Sequence, residues 1–340
     1  MSRVAINGLG RIGRATLKVL AETPDLELVA INDLVPATNL AYLIRYDTVY
    51  GRSKKTVQAE DGRLRVGEID CQVLSEKEPA NLPWKKLGID LVFECTGLFR
   101  KGNELEKHLK AGAGQVVLSA PAKSDDIKTI VNGVNDLPEK AVRIVSCASC
   151  TTNCIAPCAE VIDRRIGVAK AAMTTVHAYT STQSIVDGPS KKVRRGRAAA
   201  VNLVPTSTGA AQATAKVVPS YENRFDGVAI RCPVPVGSIS DITFVTKRRT
   251  SIEEVNDIFR EEAASERYQG ILGISEDSIV SSDIIGDPRA SVVDLEMTRV
   301  IDGDLVKVMS WYDNEWGYTS QMVRLALRML GHPVPELSAV

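Results

Sequence analysis

The stretch "RVAINGLGRIGRATLKVLAE", residues 3–22, decides the fold of this chain. It opens with a short apolar run, turns on Gly8, Gly10 and Gly13 in the pattern G-x-G-x-x-G, and continues with apolar residues at helical spacing. A second apolar strand follows at 26–33. Strand, glycine turn, helix and strand in this order predict a βαβ unit at the start of a parallel sheet.

The glycines and the acid after the second strand predict a dinucleotide site. Gly8 permits the tight turn, Gly10 lets a pyrophosphate approach the backbone, and Gly13 lets helix and strand pack closely. Asp33 lies 20 residues after Gly13, where a carboxylate binds the adenosine ribose. Its charge favours NAD over NADP, although a cation at Lys77 would soften the repulsion of a 2′-phosphate. The alternative is a purely structural turn.

The pattern of strands and helices changes near residue 150. Before it, apolar strands alternate with helical segments, which predicts a doubly wound parallel sheet of the Rossmann type. After it, longer strands at 169–180, 227–235 and 240–248 have no short helices between them. The predicted fold class is therefore α/β, with an added α+β catalytic domain built on a mixed or antiparallel sheet.

Three segments follow from this division. We expect an NAD-binding domain over 1–149 and a catalytic domain over 150–314. The segment 315–340 is predicted to form a C-terminal helix and tail that pack back on the NAD-binding domain.

Composition excludes several function classes. The 340 residues carry 42 basic and 42 acidic side chains, and a neutral chain has no long-range attraction to nucleic acid or anionic membrane. No apolar run approaches the ~20 residues of a membrane span, and the N-terminus lacks the apolar core of a signal peptide. Seven cysteines is an odd count that argues against a disulfide framework. We expect a cytoplasmic protein.

The run "SCASCTTNC", residues 146–154, contains three cysteines, and a fourth follows at Cys158. If a helix starts near 151, Cys150, Cys154 and Cys158 form a row on one face instead of a ring, so we expect no metal site. Cys154 and Cys158 lie in an apolar helix and behave as small hydrophobes. Cys150 lies at the strand-to-helix junction, where free N–H groups and the helix dipole stabilise a thiolate.

A catalytic thiol needs a base, and the chain has only three histidines. His177 ends an apolar strand in "TTVHAYT" and is the best partner for Cys150 by placement and by elimination. The two residues are predicted to share a proton as a thiolate–imidazolium pair. The alternative is a hydrogen-bonded histidine at a strand end, with no catalytic role.

Along nearly its whole length the chain resembles the phosphorylating glyceraldehyde-3-phosphate dehydrogenase family. The motifs that carry the resemblance are "AINGLGRIGR", "YDTVYG", "SCASCTTNCIAP", "TTVHAYT", "PTSTGAA" and "WYDNEWGY". The resemblance implies that the Cys150 thiolate attacks the aldehyde of D-glyceraldehyde 3-phosphate and that His177 removes the hydroxyl proton as hydride leaves for the nicotinamide. Inorganic phosphate then cleaves the resulting thioester to give 1,3-bisphosphoglycerate.

The same resemblance implies the binding residues. The substrate phosphate is assigned to Thr180 and Arg231. The attacking phosphate is assigned to Ser149, Thr151, Thr208 and Gly209, with Arg195 nearby. The cofactor contacts, besides the glycines, Asp33 and Lys77, are assigned to Arg11, Ile12, Ser119, Asn314 and Tyr318.

Partners and alternatives also follow from the resemblance. It implies small-molecule substrates and a homotetramer with the loop 181–205 buried between subunits. The alternatives are erythrose-4-phosphate dehydrogenase and a form of the same enzyme that uses both NAD and NADP. Gly188-Pro189 supports NAD and Lys77 points toward dual use. A regulatory or RNA-binding protein is the non-enzymatic alternative, and the neutral charge argues against nucleic acid as the main partner.

Overall fold

The structure is a computed structural model that describes residues 1–138, 142–335 and 337–339. The chain divides into two compact units. The first unit contains residues 1–130, 136–148 and 319–340, and the second contains residues 131–135 and 149–318. No helix in the described ranges is both long and apolar enough to cross a membrane.

The first unit is built on a nine-stranded sheet and a separate two-stranded ribbon. Its helices are α1 Arg11–Leu20, α2 Ala37–Arg45, α3 Trp84–Leu87 and α4 Gly102–Lys110. Its strands are β1 Ser2–Asn7, β2 Leu26–Asn32, β3 Tyr46–Asp47, β4 Gly51–Arg52, β5 Val57–Glu60, β6 Arg63–Val66, β7 Ile69–Leu74, β8 Leu91–Glu94, β9 Gln115–Leu118, β10 Lys128–Thr129 and β11 Ile144–Ser146.

The order of the nine strands is β10-β11-β9-β8-β1-β2-β7-β6-β5. From β10 to β7 every neighbouring pair is parallel, which confirms the predicted doubly wound sheet. The chain runs from β1 outward through β2 on one side and from β8 outward through β9 on the other. The order therefore reverses between β1 and β8, and the carboxyl ends of strands at such a switch point are where ligands bind in open α/β sheets.

The glycine turn joins β1 to α1 at this switch point. Gly8 has a φ of +92°, and a Cβ there would lie 2.7 Å from the Thr96 amide nitrogen. A Cβ on Gly13 would lie 2.0 Å from the Gly8 carbonyl oxygen, because the helix passes directly over the turn. A Cβ on Gly10 would meet no atom within 4 Å. Two of the glycines are thus required by the fold, and the third leaves open space.

The antiparallel end of this sheet was not predicted from the sequence. Strands β5, β6 and β7 pair antiparallel, with Asp61-Gly62 at the first turn and Gly67 at the second. Asp61, Gly62 and Gly67 have positive φ, as the favoured two-residue hairpin turns require at both positions or at the first. The signal was present, since Asp-Gly between two alternating runs is a strong short-range hairpin signal.

The second unit contains a seven-stranded sheet and three helices. Its helices are α5 Cys150–Arg165, α6 Ala210–Val217 and α7 Ile252–Ala263. Its strands are β12 Val168–Ala178, β13 Val204–Ser207, β14 Phe225–Cys232, β15 Ser238–Thr246, β16 Leu272–Ser275, β17 Ser291–Ile301 and β18 Leu305–Tyr312. A last helix, α8 Trp316–Met329, begins in the second unit, and its residues from Thr319 onward belong to the first.

The seven strands follow the order β13-β14-β12-β15-β18-β17-β16. The β12–β14 and β16–β17 pairs are parallel and the other four are antiparallel, which confirms the predicted mixed sheet. Helices α5, α6 and α7 pack on one face over a large apolar core that includes Ile162, Phe244 and Phe259. Helix α6 was not predicted from the sequence, because its eight residues are too few to show helical periodicity clearly.

Candidate active site

A cavity of about 530 Å³ lies in the first unit at the switch point between β1 and β8. Residues that follow three neighbouring strands line it: Gly8 and Gly10 after β1, Asp33 after β2, and Cys95 and Thr96 after β8. Gly10 precedes α1 and offers no side chain to cap it. Because the first turn of a helix has N–H groups without intrahelical acceptors, this edge suits an anion such as a pyrophosphate.

Asp33 is held in this cavity by the backbone around it. Its Oδ2 accepts a hydrogen bond from the Leu9 N–H at 2.6 Å, and its Oδ1 accepts one from the Val35 N–H at 2.9 Å. The carboxylate is therefore fixed between the glycine turn and the segment after β2. Lys77 lines the same cavity, so the structure brings together the acid and the cation that bear on cofactor choice.

The other predicted cofactor residues of the first unit lie close to this edge. Arg11 and Ile12 are the first two residues of α1, and the Arg11 guanidinium forms an ion pair with Asp47 at 2.9 Å. Burial would raise the pKa of Asp47, but Arg11 and Lys18 outweigh it and lower that pKa to about 2. Ser119 directly follows β9, and its N–H donates to the Glu94 carbonyl at 3.0 Å.

Cys150 is the first residue of α5 in the second unit. Ser149 caps the helix, because its Oγ accepts the Thr152 N–H at 3.1 Å. The residue before it, Ala148, has a φ of +56°, an uncommon conformation for a residue with a Cβ, and it turns the chain sharply into the helix. The half-buried Cys150 side chain thus stands at the helix N-terminus that the sequence predicted.

The Cys150 Sγ lies 3.4 Å from Nε2 of His177, which sits next to the end of β12. On the other side of the imidazole, Nδ1 lies 2.7 Å from the Ala178 carbonyl oxygen and 2.9 Å from the Arg231 Nη1. Arg231 also donates to the same carbonyl at 2.9 Å. The Tyr312 ring packs edge-on against the imidazole with centroids 5.9 Å apart. The predicted thiol and base therefore lie side by side.

Burial shifts the pKa of both members of this pair. Burial raises the pKa of the Cys150 thiol, although Arg231 and hydrogen bonds from Thr151 oppose that rise. Burial, followed by repulsion from Arg231, lowers the pKa of His177 to about 3. Both shifts favour a neutral thiol beside a neutral imidazole. Burial thus opposes the thiolate–imidazolium pair, while the helix N-terminus and Arg231 favour the thiolate, and the pair stays a prediction.

Two guanidinium groups stand beside the pair. Burial lowers the pKa of Arg231, and burial followed by repulsion from Arg231 lowers that of Arg195. The buried Nε of Arg231 has no hydrogen-bond partner among the described residues. Arg195 donates to the hydroxyls of Thr206 at 3.1 Å and Thr182 at 3.2 Å. A buried unsatisfied donor and two like charges near each other are what a bound dianion would relieve.

The predicted phosphate-binding hydroxyls have distinct surroundings. The Thr180 hydroxyl bonds that of Thr182 at 2.8 Å, which connects it to Arg195. The Thr208 Oγ1 accepts the Ala210 N–H at 3.2 Å, just before Gly209 begins α6 as its cap. The Thr151 hydroxyl is already bonded to the Tyr312 hydroxyl at 3.0 Å. Either of the two hydroxyls can be the donor in this contact.

Asn314 and Tyr318 follow the last strand of the second unit, and both are buried. The Asn314 Oδ1 accepts hydrogen bonds from the Gly237 N–H at 3.2 Å and the Ser238 hydroxyl at 2.9 Å. Since a backbone N–H can only donate, the oxygen of the amide must face Gly237. The Nδ2 of Asn314 is then the group left to donate elsewhere.

Three neighbours of the candidate site residues were not predicted from the sequence. Ser238 bonds Asn314 and Ala178, and Tyr312 bonds Thr151 and packs on His177. Glu94 is fully buried beneath the glycine turn and accepts from Asn7 at 2.6 Å and from the Thr96 N–H at 2.8 Å, while His108 contacts it at 3.0 Å. Of these three residues, only Tyr312 lies in a motif that carries the family resemblance, "WYDNEWGY".

Cys154 and Cys158, on the same helix as Cys150, behave as buried small residues. The Cys154 Sγ points to the Ser310 carbonyl at 3.7 Å and the Cys158 Sγ to the Ser291 hydroxyl at 3.3 Å. Burial raises the pKa of both thiols, that of Cys158 to about 11. Within the described ranges no group of three or more His, Cys, Asp or Glu side chains is placed to hold a metal ion. A larger cavity of about 960 Å³ in the second unit contains neither a thiol nor an imidazole.

Comparison with known proteins defines the class and then the family. The profile described as "Glyceraldehyde 3-phosphate dehydrogenase, NAD binding domain" matches residues 2–102. With the parallel sheet and the glycine turn, this makes the protein an NAD-dependent oxidoreductase. The profile described as "Glyceraldehyde 3-phosphate dehydrogenase, C-terminal domain" matches residues 149–314. The chain belongs to the glyceraldehyde-3-phosphate dehydrogenase family.

Relatives named glyceraldehyde-3-phosphate dehydrogenase match along almost the whole chain. The protein from Streptomyces coelicolor is 48% identical over 328 residues, which cover 96% of this chain and 97% of that protein. Those from Clostridium pasteurianum and Mycobacterium bovis are each 48% identical over 331 residues, covering 95% of this chain and 97% of each relative. These matches do not favour the erythrose-4-phosphate or non-enzymatic alternatives.

Proposed function

We propose that the protein oxidises D-glyceraldehyde 3-phosphate with NAD and phosphorylates it to 1,3-bisphosphoglycerate, with Cys150 as nucleophile and His177 as base. The observation that carries the proposal is the 3.4 Å contact between the Cys150 Sγ and the His177 Nε2, beside Arg231 with its unsatisfied buried Nε. A thiol, a base and an anion site converge there, which is what nucleophilic attack on a phosphorylated aldehyde requires.

The first step is attack of the Cys150 sulfur on the aldehyde carbon. The thiol proton passes to Nε2 of His177 and from there to the carbonyl oxygen, which gives a neutral thiohemiacetal on Cys150. For Nε2 to accept, the proton of the neutral imidazole must sit on Nδ1, where it bonds the Ala178 carbonyl at 2.7 Å. The helix N-terminus at Cys150 stabilises the developing oxyanion.

The second step converts the thiohemiacetal into a thioester. His177 takes the hydroxyl proton as the carbon–oxygen double bond re-forms and hydride leaves the former aldehyde carbon. Bound NAD supplies the acceptor for that hydride. Arg231 lies 2.9 Å from Nδ1, so its charge makes the protonated imidazole a stronger proton donor for the next step.

The third step releases the product. Hydrogen phosphate attacks the thioester carbon and loses its proton to solvent, the carbon–sulfur bond breaks, and protonated His177 returns a proton to the sulfur. A thioester suits this sequence because it stays reactive enough to pass the acyl group to phosphate. We assign the substrate phosphate to Thr180 and Arg231. The attacking phosphate is assigned to a second set: Ser149, Thr151, Arg195, Thr208 and Gly209.

The first unit fits NAD. Gly10 has open space where a Cβ would stand, so a pyrophosphate has access to the N–H groups of Arg11 and Ile12. We propose that Gly8 and Gly13 shape this turn, that Asp33 binds the adenosine ribose, and that Lys77 tunes the choice between NAD and NADP. The nicotinamide half is assigned to Ser119, Asn314 and Tyr318.

A pair of threonine variants tests the assignment of the phosphate sites. Thr180→Ala should raise the KM for the triose phosphate, and Thr208→Ala should raise the KM for inorganic phosphate. Each loses a hydrogen bond to a charged group, which is worth about 1.5–3 kcal/mol or a 10- to 150-fold change. Each variant is the control for the other. Equal effects on both constants in both variants would refute the assignment.

A substrate comparison tests the activity itself. The parent should reduce NAD with D-glyceraldehyde 3-phosphate, need inorganic phosphate for turnover, and act poorly on D-erythrose 4-phosphate. Cys150→Ser should bind NAD as the parent does and lose turnover, because a serine hydroxyl is a far weaker nucleophile than a thiol. Turnover of the Cys150→Ser variant at the parental rate would reject the mechanism.

We also propose a cytoplasmic homotetramer in which residues 1–149 bind NAD, 150–314 carry the catalysis and 315–340 return to the NAD-binding domain. Clustering of residues 319–340 with the first unit supports the last point. Support for assembly comes from the loop 181–205, where five apolar side chains are 69–84% exposed: Ile185, Val186, Val193, Val201 and Leu203. Sedimentation of the parent beside an Ile185→Lys variant tests it, since only the parent should run as a tetramer.

A further inference from the structure

We propose that Ser238 is a positioning residue, which ties the backbone beside His177 to the amide of Asn314 and so aligns the base with the nicotinamide. The inference rests on the proposed function, because it takes His177 as the base and Asn314 as the group that holds the nicotinamide carboxamide. It assigns a role to a hydroxyl that touches neither the substrate nor the reacting thiol.

Ser238 is the first residue of β15, and it is 1% exposed. Its Oγ accepts the Ala178 N–H at 3.1 Å and lies 2.9 Å from the Asn314 Oδ1. A hydroxyl has one proton, and the amide oxygen can only accept, so that proton points to Asn314. Both hydrogen-bonding directions of this buried hydroxyl are therefore used, and it has no freedom to rotate.

One end of this chain of contacts is the base. Ala178 donates its N–H to Ser238, and its carbonyl oxygen lies 2.7 Å from the His177 Nδ1. The same carbonyl accepts from Arg231 at 2.9 Å. Ser238 thus holds the residue whose carbonyl fixes the tautomer and the orientation of the imidazole.

The other end is the amide of Asn314. Its Oδ1 accepts from Ser238 and, over a longer distance of 3.2 Å, from the Gly237 N–H. These two donors turn the Nδ2 of the amide away from β15. Without the hydroxyl only the longer bond remains, so Asn314 stays in place but is less firmly oriented. The dissociation constant of NAD should change little, while the angle of the nicotinamide should vary more.

The consequence is kinetic. Hydride and proton leave neighbouring atoms of the same thiohemiacetal, so the imidazole and the nicotinamide have to be aligned with each other. Displacements near 1 Å can cost on the order of 100-fold in rate. Ser238→Ala should therefore lower kcat about 10- to 100-fold and leave the NADH dissociation constant and the triose phosphate KM within about threefold of the parent. Hydride transfer becomes rate-limiting, so a substrate deuterated at the aldehyde shows a primary isotope effect larger than in the parent.

The matched comparison is Ser238→Thr against Ser238→Val. The two side chains have nearly the same volume and are both β-branched, so packing errors in the buried site affect them equally and only the hydroxyl differs. We expect the Thr variant to turn over at least 10-fold faster than the Val variant at similar thermal stability. Ser240→Ala is a control on the same strand, because its buried hydroxyl bonds neither Ala178 nor Asn314, and it should keep kcat within twofold.

A double-mutant cycle with Asn314→Ala decides between positioning and mere structure. If Ser238 acts through Asn314, Ser238→Ala should cost far less in the Asn314→Ala background than in the parent. Equal kcat in the Thr and Val variants, or fully multiplicative effects of the two alanine changes, would overturn the inference. The parent is assayed alongside the variants. If the parent reduces NAD with the triose phosphate while either of these outcomes is found, the role of Ser238 is refuted and the proposed function stands.

Discussion

Replacing Gly13 by alanine should lower the stability of the fold, whereas the same change at Gly10 should weaken the binding of NAD. A Cβ on Gly13 would lie 2.0 Å from the Gly8 carbonyl oxygen and 3.0 Å from its carbon. Both groups are backbone, and Gly8 cannot yield, because its N–H bonds the Asn32 carbonyl at 2.8 Å and Thr96 crowds its other side. Helix α1 must therefore move away from the sheet.

The magnitude follows from two opposing effects. Overpacking of this kind costs about 1–3 kcal/mol, and the rigid neighbours place Gly13 at the upper end. Alanine improves the intrinsic helix propensity by about 1 kcal/mol, which leaves a net loss near 2 kcal/mol. For a unit of this size that corresponds to a fall in Tm of about 4–8 °C.

Gly10→Ala should behave in the opposite way. Its Cβ meets nothing within 4 Å and its φ of −67° suits alanine, so the free energy of unfolding should stay within about 1 kcal/mol of the parent. The methyl group enters the space assigned to the pyrophosphate, which should weaken NAD binding about 5- to 150-fold. Calorimetric unfolding without NAD and titration with NAD measure the two effects. Equal loss of stability in both variants, or parental NAD affinity in Gly10→Ala, would refute the reasoning.

Three further changes test charge and thiol chemistry. Asp33→Asn removes the charge that repels a 2′-phosphate while keeping an oxygen for the Leu9 N–H, so the ratio of kcat/KM for NAD over NADP should fall at least about 10-fold. His177 has a pKa of about 3 in the folded chain against 6.5 as a free side chain, so the unfolded chain takes up the proton first and stability falls with pH below 6.5. Measured by urea unfolding, the free energy of unfolding of the parent should fall by about 1.4 kcal/mol more than that of His177→Asn between about pH 6 and pH 5. An equal fall in the two proteins would contradict the lowered pKa of His177. Cys154→Ser should keep kcat within about twofold, since burial raises the pKa of that thiol and leaves it inert, and loss of turnover would show a second working thiol.

The parts of the fold that follow a local sequence pattern were predictable from the sequence. The glycine turn, the parallel strands around it, and the helix that begins at Cys150 each have spacing and residue types that indicate one conformation. The antiparallel strands β5 to β7 were missed although Asp61-Gly62 marks their first turn, because that turn was not read as a hairpin. The eight residues of α6 were missed because two turns of helix show little periodicity.

From the residues themselves, candidate site residues were predictable only where the side chain is of a catalytic type and lies at a suitable position in a helix or strand. Cys150 and His177 stood out as a thiol at a helix start and a histidine at a strand end. The directions in which their pKa values shift were not predictable, because they depend on burial and on Arg231, which lies 54 residues from His177 in sequence. Ser238 gave no signal at all, since its role arises from contacts with residues 60 and 76 positions away.

The most direct test of the proposed catalysis is to trap the acyl group. Intact-protein mass spectrometry of the chain, mixed with D-glyceraldehyde 3-phosphate and NAD in the absence of inorganic phosphate, should show one added phosphoglyceroyl group per chain. Peptide mapping should place it on Cys150, and added phosphate should discharge it. An adduct on another residue, or steady turnover with none on Cys150, would contradict the account.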